Sequence, residues 1–280
     1  MRTRIADYQL IRPLEDDLSD GQTSVDPAAT PAEATGTYLA QPPTRLDLGN
    51  TQVVVHLDPA SDPVVRWVQH LAGAHSPHLP TLIELGGDSE SVPRSLYWVH
   101  TWTGDATMAR PPFTLSLAFV LWLVAGAARG AHALHEVGLV HGDINPRLIR
   151  FNDRAVTLDP PVRVPDVPLG LARRLDRTTE LDLIEPGVAR GELPSRASEI
   201  WTLGAVLHLG LSGQLLHPGL ADDPPVTAVQ RIMFEPPRIA PGLDPEAAQI
   251  ISSCLAPDPA RRPQSAGALA DQLEILGRQR

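Results

Sequence analysis

Residues Val140 to Phe151 read VHGDINPRLIRF. This stretch lies between a long apolar run and a mainly helical region, and the three together indicate the fold. Upstream lies FTLSLAFVLWLVAGAA, Phe113 to Ala128, an apolar and uncharged run between Pro112 and Arg129. Its length of about 16 residues falls short of the roughly 20 residues that a bilayer span needs. The run therefore predicts a buried core helix from Pro112 to about His135 and no membrane span.

Downstream of the loop the pattern is mainly helical. Glu199 to Leu211 is largely apolar and predicts a buried helix. Asp244 followed by Pro245 predicts a helix with a side-chain cap and a proline in its first turn. A last helix is predicted after Pro263, with leucines on a common face.

The first hundred residues predict a small sheet and one helix. Asp62, followed by Pro63, predicts the cap of an amphipathic helix. Residues 15–35 are rich in Asp, Pro, Thr and Ala without periodicity, which predicts a flexible acidic loop. β-branched or aromatic runs predict strands at 8–13, 36–40, 52–57, 82–85 and 96–99.

In this order of elements, VHGDINPRLIRF resembles the catalytic loop H-R-D-L-K-P-x-N of eukaryotic-like Ser/Thr protein kinases. Three more motifs follow in the family's order: Glu185-Pro-Gly in the place of A-P-E, Glu199-Ile-Trp201-Thr-Leu-Gly in that of D-[IV]-W-S-L-G, and Asp258-Pro-Ala-Arg-Arg262-Pro in that of D-P-x-x-R-P. The chain is identified as a degenerate bacterial member, of actinobacterial type, of this superfamily.

The resemblance implies an α+β, bilobal protein-kinase-like fold. Residues 1–103 would form a small β-rich N-lobe with one helix, αC, and 15–35 would replace the Gly-rich loop. Residues 104–280 would form a larger helical C-lobe. His141, Glu185, Glu199, Trp201 and Arg262 would be structural, with Glu185 pairing with Arg262 because Gly187 stands where the family has its A-P-E glutamate.

The positions that handle ATP in the family differ here. All 23 positively charged residues are arginine, so no lysine is available, although a GC-rich codon bias is a partial explanation. His56 takes the place of the strand-3 lysine, and no acid between Asp62 and Glu84 replaces its αC partner. Val54, Asn145 and Leu148 stand for the small alanine, the loop lysine and the magnesium-binding asparagine.

Two aspartates retain places in the family pattern. Asp143 occupies the position of the catalytic base, where a loop-shaping role is the alternative to a surviving base. Asp159 in VTLDPP matches the metal-binding aspartate of D-F-G if one residue is missing before it, and otherwise Pro160 takes that position. We therefore expect no bound ATP or magnesium.

Several exposed features are candidate partner surfaces. Thr178 and Thr179 lie where active kinases carry phosphosites, with Arg173 and Arg174 nearby, although an ordinary exposed loop is the alternative. Further candidates are the αC face with Arg66 and Trp67, the groove beside 160–183 and the acidic loop. Four histidines near αC invite a metal site, but their spacing favours a packed or solvated set: His56, His70, His75 and His78.

Composition limits the remaining classes of function. The net charge of -10 argues against nucleic-acid binding, and a single cysteine, Cys254, excludes an intrachain disulfide and favours a cytoplasmic location. The sequence thus predicts a pseudokinase that scaffolds or allosterically regulates a protein: an active kinase, a regulated enzyme or a phosphopeptide-reading domain. The alternatives are a nucleotide-binding or weakly active Ser/Thr kinase that uses Asp143 and Asp159, and a metal-free nucleotide sensor.

Overall fold

The computed structural model describes residues 3–14, 36–49, 51–88, 95–161 and 178–280. The predicted acidic loop at 15–35 and the arginines Arg173 and Arg174 lie outside these residues. The chain divides into two compact units. The first contains the described residues up to His75 together with Pro80–Thr103, and the second contains Ser76–Leu79, Gly104–Pro161 and the described residues from 178 onward.

A six-stranded antiparallel sheet forms the body of the first unit, in the order β1-β2-β3-β4-β6-β5. The five predicted strands are all present, most of them longer than predicted, and a short extra strand precedes them. Their bounds are β1 Arg4–Ile5, β2 Tyr8–Pro13, β3 Gly36–Gln41, β4 Val53–Pro59, β5 Leu82–Asp88 and β6 Ser95–Thr101.

The two faces of this sheet carry different side chains, because successive residues of a strand point to opposite sides. Val53, Val55 and Leu57 of β4 belong to the main apolar cluster on one face. Val54 and His56 point to the other face, and His56 lies directly opposite Trp98 in the register of β4 and β6. His56, at the position of the family's lysine, thus lies on the face of β4 away from the main cluster.

One helix, α1 (Asp62–Leu71), follows β4 as predicted. Its N-cap is Ser61, so the prediction of an Asp62 cap is wrong and Asp62 lies in the first turn, where its charge favours the helix dipole. Trp67 is 6% exposed, and its ring lies 6.0 Å from that of Trp98. The prediction of Trp67 as a partner surface is therefore wrong, because its indole packs on the sheet, whereas Arg66 is exposed.

The second unit is mainly helical. Its predicted helices are present, and Asp244 caps one of them by accepting the N–H groups of Glu246 and Ala247. A two-stranded hairpin follows the VHGDINPRLIRF loop: β7 Ile149–Phe151 and β8 Val156–Leu158. The helices are α2 Leu117–Glu136, α3 Thr178–Leu181, α4 Pro186–Ala189, α5 Arg196–Ser212, α6 Pro225–Phe234, α7 Pro245–Cys254 and α8 Ala266–Gly277.

The long apolar helix α2 is the centre of the second unit. It begins at Leu117 rather than Pro112, because the Ser116 hydroxyl accepts the Phe119 N–H and caps it there. Among the described residues, α2 alone is long and apolar enough to cross a membrane, but 61% of its most apolar stretch is buried within the protein. It packs against α8, α5 and β8, as expected of a core helix.

Candidate functional site

The loop between α2 and β7 is built around a fully buried histidine. His141 Nδ1 accepts the Asp143 N–H at 3.2 Å, and Nε2 lies 2.7 Å from the Asp159 carbonyl oxygen. Because one nitrogen accepts and the other faces a carbonyl, the neutral ring with its proton on Nε2 satisfies both contacts. This confirms the prediction of a satisfied, structural His141.

Buried Glu199 anchors the same loop from the start of α5. Its Oε1 accepts the Gly142 N–H at 2.6 Å, and its Oε2 lies 2.6 Å from His135 Nε2 on α2. Gly142 has a φ of 76°, a left-handed conformation that favours glycine. The local backbone therefore accounts for glycine where the family has arginine, and Glu199 links this loop to α2.

Asn145, at the position of the loop lysine, uses its amide within the loop. Its Nδ2 donates to the Asp143 carbonyl at 2.9 Å, and its Oδ1 accepts the Arg147 N–H at 2.9 Å. The Asp143 carboxylate, which is half-buried, lies 3.5 Å from the same Nδ2. This geometry favours the loop-shaping role of Asp143 that the sequence left open.

A buried ion pair engages Asp159, the first of the two candidates for the metal-aspartate position. Asp159 follows β8, and its carboxylate accepts the Nε–H of Arg150 on β7. Arg150 Nη1 also donates to the Gly104 carbonyl at 3.0 Å, and the Asp159 N–H donates to the Leu148 carbonyl at 2.8 Å. Both charged side chains are less than a tenth exposed, so the charge of Asp159 is balanced by the protein itself.

Arg150 is the functional residue that sequence reasoning missed. A charged residue between Ile149 and Phe151, in a short strand buried throughout, was the available signal. Such a residue requires a buried partner, because an unpaired charge is too costly to desolvate. Beside it, Leu148 is 3% exposed and offers no ligand oxygen to a metal ion.

In the first unit, His56 belongs to a chain of hydrogen bonds across the sheet. Its Nδ1 lies 3.2 Å from Thr37 Oγ1, and its Nε2 lies 3.0 Å from His100 Nε2. His100 Nδ1 in turn lies 2.9 Å from the Thr101 carbonyl. With both rings neutral every contact is satisfied: Thr37 donates to His56, His56 to His100, and His100 to the carbonyl.

Burial holds His56 in this neutral form. The ring is 3% exposed and stacks on Trp98 at 3.7 Å with an interplanar angle of 5°. Burial first, and the neighbouring His100 second, lower the pKa of His56 well below its usual value. His56, at the position of the family's lysine, therefore carries no positive charge at neutral pH. Val54, two residues before it, packs with Leu39 and Trp102 in a small apolar cluster.

The first acid after α1 cannot replace the missing partner of His56. Glu84 shares its face of the sheet with Tyr97, opposite to the face of His56. Its carboxylate accepts the hydroxyls of Tyr8 and Tyr97, at 2.5 and 3.0 Å, and the guanidinium of Arg45 at 2.7 Å. Burial and the Glu84 carboxylate raise the pKa of Tyr97 to about 12.

Arg262 and Glu185 form the predicted structural pair. The Arg262 guanidinium lies 2.6 Å from a Glu185 oxygen and donates to the carbonyls of Ala256 and Ala197, each at 2.9 Å. It also lies 5.3 Å from the centre of the buried Trp201 ring. Glu185 thus substitutes for the family's glutamate, as the sequence predicted.

The remaining described candidates have local contacts within their own unit. Thr178 and Thr179 begin α3, where Glu180 pairs with Arg147 of the loop at 3.0 Å. His78 Nδ1 lies 2.9 Å from the Val156 carbonyl, whereas His70 and His75 are exposed. In the described part of the chain, no group of three or more His, Cys, Asp or Glu side chains is arranged to hold a metal ion.

Comparisons with known proteins agree with this architecture. No family model matches the chain. The Ser/Thr-protein kinase PknA of Mycobacterium tuberculosis is 30% identical over 171 residues, which are 58% of this chain and 38% of that protein. Mitogen-activated protein kinase kinase kinase 10 of Mus musculus is 30% identical over 245 residues, 79% of this chain and 25% of that protein. The chain thus spans less than two fifths of the length of these relatives.

Among solved structures, the kinase domain of PknI from Mycobacterium tuberculosis superposes with a TM-score of 0.63. The match covers 98% of this chain and 99% of that one at 18% identity, which demonstrates the fold. The chain has the protein-kinase fold, and its homologues are bacterial Ser/Thr protein kinases of the eukaryotic-like protein kinase superfamily.

Proposed function

We propose that this kinase-like domain is a pseudokinase: it does not transfer phosphate, and it acts as a scaffold or allosteric regulator of a partner protein. The observation that carries the proposal is the buried Arg150–Asp159 pair beside Leu148. Asp159 of this pair is the candidate for the aspartate with which the family holds its metal.

Magnesium binding at Asp159 would have to displace an arginine. Mg²⁺ is held by carboxylates and other oxygen ligands, and Leu148 supplies none. Separating a buried ion pair leaves an uncompensated charge that costs about 3–5 kcal/mol. A metal ion that binds Asp159 must therefore offset the free energy of separating this ion pair.

The first unit contributes a second deficit. The neutral His56 cannot balance phosphate charge, and its two ring nitrogens are engaged by Thr37 and His100. Losing one preorganised electrostatic group costs roughly 10²–10³ in turnover, and phosphoryl transfer depends mainly on positioning and charge neutralisation. Together the two deficits support inactivity and argue against ATP and magnesium as cofactors.

The structural motifs, in contrast, keep their hydrogen bonds, as expected if selection preserves a surface rather than turnover. An open pocket of about 300 Å³ on the second unit is one surface on which a protein segment could dock. Its polar part is the Arg147–Glu180 pair, and its apolar lining includes Met108, Leu115, Pro146, Leu183 and Leu209. The partner we propose is a cytoplasmic protein: an active kinase, a regulated enzyme or a phosphopeptide-reading domain.

Nucleotide binding gives the first test. We expect millimolar ATP with Mg²⁺ to leave the melting temperature of the full chain unchanged, with ADP and an equal concentration of sodium sulfate as controls for ionic strength. A shift that EDTA and Asp159→Asn both abolish would establish metal-dependent nucleotide binding and overturn the cofactor part of the proposal. A shift that survives EDTA would indicate a metal-free nucleotide sensor.

Phosphate transfer gives the second test. We expect no incorporation from labelled ATP into the chain itself or into generic protein substrates. Incorporation that Asp143→Asn abolishes would overturn the pseudokinase proposal. In that case the substitution should leave thermal stability nearly unchanged, because it would remove a catalytic group without unfolding the chain. Partner capture with wild type, compared with Arg147→Glu, then tests the pocket on the second unit.

A further inference from the structure

A buried pair of Asp182 and His217 lies in the second unit, outside the motif positions described above. Asp182 follows α3 and is 2% exposed, and His217 lies in the connection between α5 and α6 and is 3% exposed. The Asp182 carboxylate accepts the N–H groups of Leu216 and His217, at 2.5 and 3.1 Å. Its Oδ1 also lies 2.7 Å from His217 Nδ1. Three donors thus converge on one carboxylate.

The other nitrogen of the same ring faces a second acceptor. His217 Nε2 lies 3.2 Å from the carbonyl oxygen of Glu235, the residue that ends α6. Neither a carboxylate nor a carbonyl can donate a proton, so both ring nitrogens must carry hydrogen to make both bonds. The geometry therefore selects the positively charged imidazolium.

The charged groups around His217 are otherwise engaged. On α6, Arg231 pairs with Asp223 at 2.6 Å and with the Glu235 side chain at 3.2 Å. On α5, His208 Nε2 accepts the Ala240 N–H at 2.9 Å. Burial opposes the charge on His217 and Arg231 weakly adds to that opposition, but the hydrogen bond and charge of Asp182 and the Glu235 carbonyl outweigh them, so the pKa of His217 is raised.

We propose that His217 is a proton-dependent latch, which in its charged form ties the end of α6 to Asp182 and opens there when the proton is lost. A neutral ring keeps one N–H, and the carboxylate is the stronger acceptor, so Nδ1 retains it. The bond to the Glu235 carbonyl is the one that breaks. Phe234, the last residue of α6, is 75% exposed, so the latch controls the order of an exposed aromatic side chain.

The sign of the pH dependence follows from the raised pKa. The stabilisation is complete below the unfolded-state value of about 6.5 and is lost as pH rises through the higher folded-state value. The latch is independent of nucleotide and metal, so it stands whether or not the domain is a pseudokinase. A second tie, from Arg231 to the Pro218 carbonyl at 3.1 Å, keeps α6 attached, so opening is local.

The test is amide hydrogen exchange of the full chain across pH 6 to 10, corrected for intrinsic exchange, with the His217 ring titrated by NMR in parallel. Protection at the end of α6 should fall roughly tenfold or more, the size expected for one lost charged hydrogen bond. The fall should have the His217 midpoint, and amides in the middle of α5 should not share it. Protection that is flat through that midpoint overturns the proposal.

Two variants and a control sharpen the result. His217→Gln should give low protection at every pH, whereas His75→Gln, which changes an exposed histidine, should behave as wild type. Asp182→Asn keeps an acceptor but removes the charge, so the His217 midpoint and the exchange midpoint should move together to lower pH. A pH-dependent step that persists in His217→Gln, or that stays in place in Asp182→Asn, contradicts the latch.

Discussion

At the scale of single residues, an arginine pairs with the buried aspartate that follows the β7–β8 hairpin. Arg150 pairs with the buried Asp159 carboxylate, and its Nη1 also donates to the Gly104 carbonyl. The guanidinium balances the charge of the buried aspartate within the protein. The Asp159 carboxylate is thereby part of the core.

This arrangement predicts a large asymmetry between single and double variants. Arg150→Met leaves the Asp159 carboxylate buried without a cation and should lower the free energy of unfolding by about 3–5 kcal/mol. Arg150→Met combined with Asp159→Leu removes both charges and should recover most of that loss. Denaturant unfolding of the set measures the coupling.

The control for that set is Arg154→Met. Arg154 is in the turn of the same hairpin, its side chain is 89% exposed, and its contact with Asp153 is long at 3.9 Å. We expect unchanged stability, since such exposed pairs contribute little. Equal losses for the variants at 150 and 154 would show that the Arg150–Asp159 pair is not desolvated.

His56 predicts a dependence on acidity. Its pKa is lowered in the folded chain, so below the unfolded-state value of about 6.5 the unfolded chain takes up a proton that the folded one refuses. Stability contributed by His56 should fall as pH decreases, with a slope of up to about 1.4 kcal/mol per pH unit. The measurement is the difference in unfolding free energy between wild type and His56→Gln from pH 5 to 8. A difference that does not change with pH would contradict the neutral pair, and His75→Gln is the control.

At the scale of elements, α2 owes its position to small residues. A Cβ atom on Gly126 would lie 2.5 Å from the Val156 Cβ of β8, and one on Gly130 would lie 2.7 Å from the His78 carbonyl. The helix therefore approaches the hairpin more closely than any side chain would permit. The same close packing explains why a helix of nearly membrane-like composition is mostly buried in protein.

Gly126→Ala tests this approach. Alanine favours a helix over glycine by about 1 kcal/mol, but the clash with Val156 should produce a net loss of about 1–3 kcal/mol in unfolding free energy. Gly277→Ala in α8 is the matched control, because its Cβ would meet only Leu121 at an ordinary 3.8 Å. We expect the control to be neutral or stabilising. A stabilised Gly126→Ala would mean that α2 and β8 are further apart than described.

At the scale of the whole molecule, one thiol reports on the integrity of the helical unit. Cys254 ends α7 and is 0% exposed. Burial raises the pKa of its thiol to about 12, so almost no thiolate exists at neutral pH. Its reactivity therefore depends on opening of the surrounding core.

Alkylation of Cys254 should accordingly be negligible in the native chain at pH 7.5 and should rise steeply through the thermal or urea transition. Mass spectrometry after timed exposure to iodoacetamide measures it, with the denatured chain as the reference for full reactivity. Because the chain has a single cysteine, the label needs no assignment. Rapid labelling under native conditions would contradict a tightly packed second unit.

The sequence by itself determined the order of elements and the motifs that hold the kinase fold together. Asp244 caps its helix as predicted, because a cap is formed by residues adjacent in sequence. The pairing of Glu185 with Arg262 and the burial of His141 were expected from the family motifs, whose residues the fold brings together. The sequence also identified the departures of Leu148 and His56 from the residue types that the family has at these positions.

Only the tertiary structure decided which side chains meet. Periodicity places Trp67 on a helix, but it predicts neither the packing of Trp67 on Trp98 nor the pairing of Arg150 with Asp159. The His56–His100 contact joins residues of β4 and β6 that are 44 positions apart in sequence. Such contacts depend on strand register and on the distance between packed elements, which are properties of the folded core and not of any local stretch of sequence.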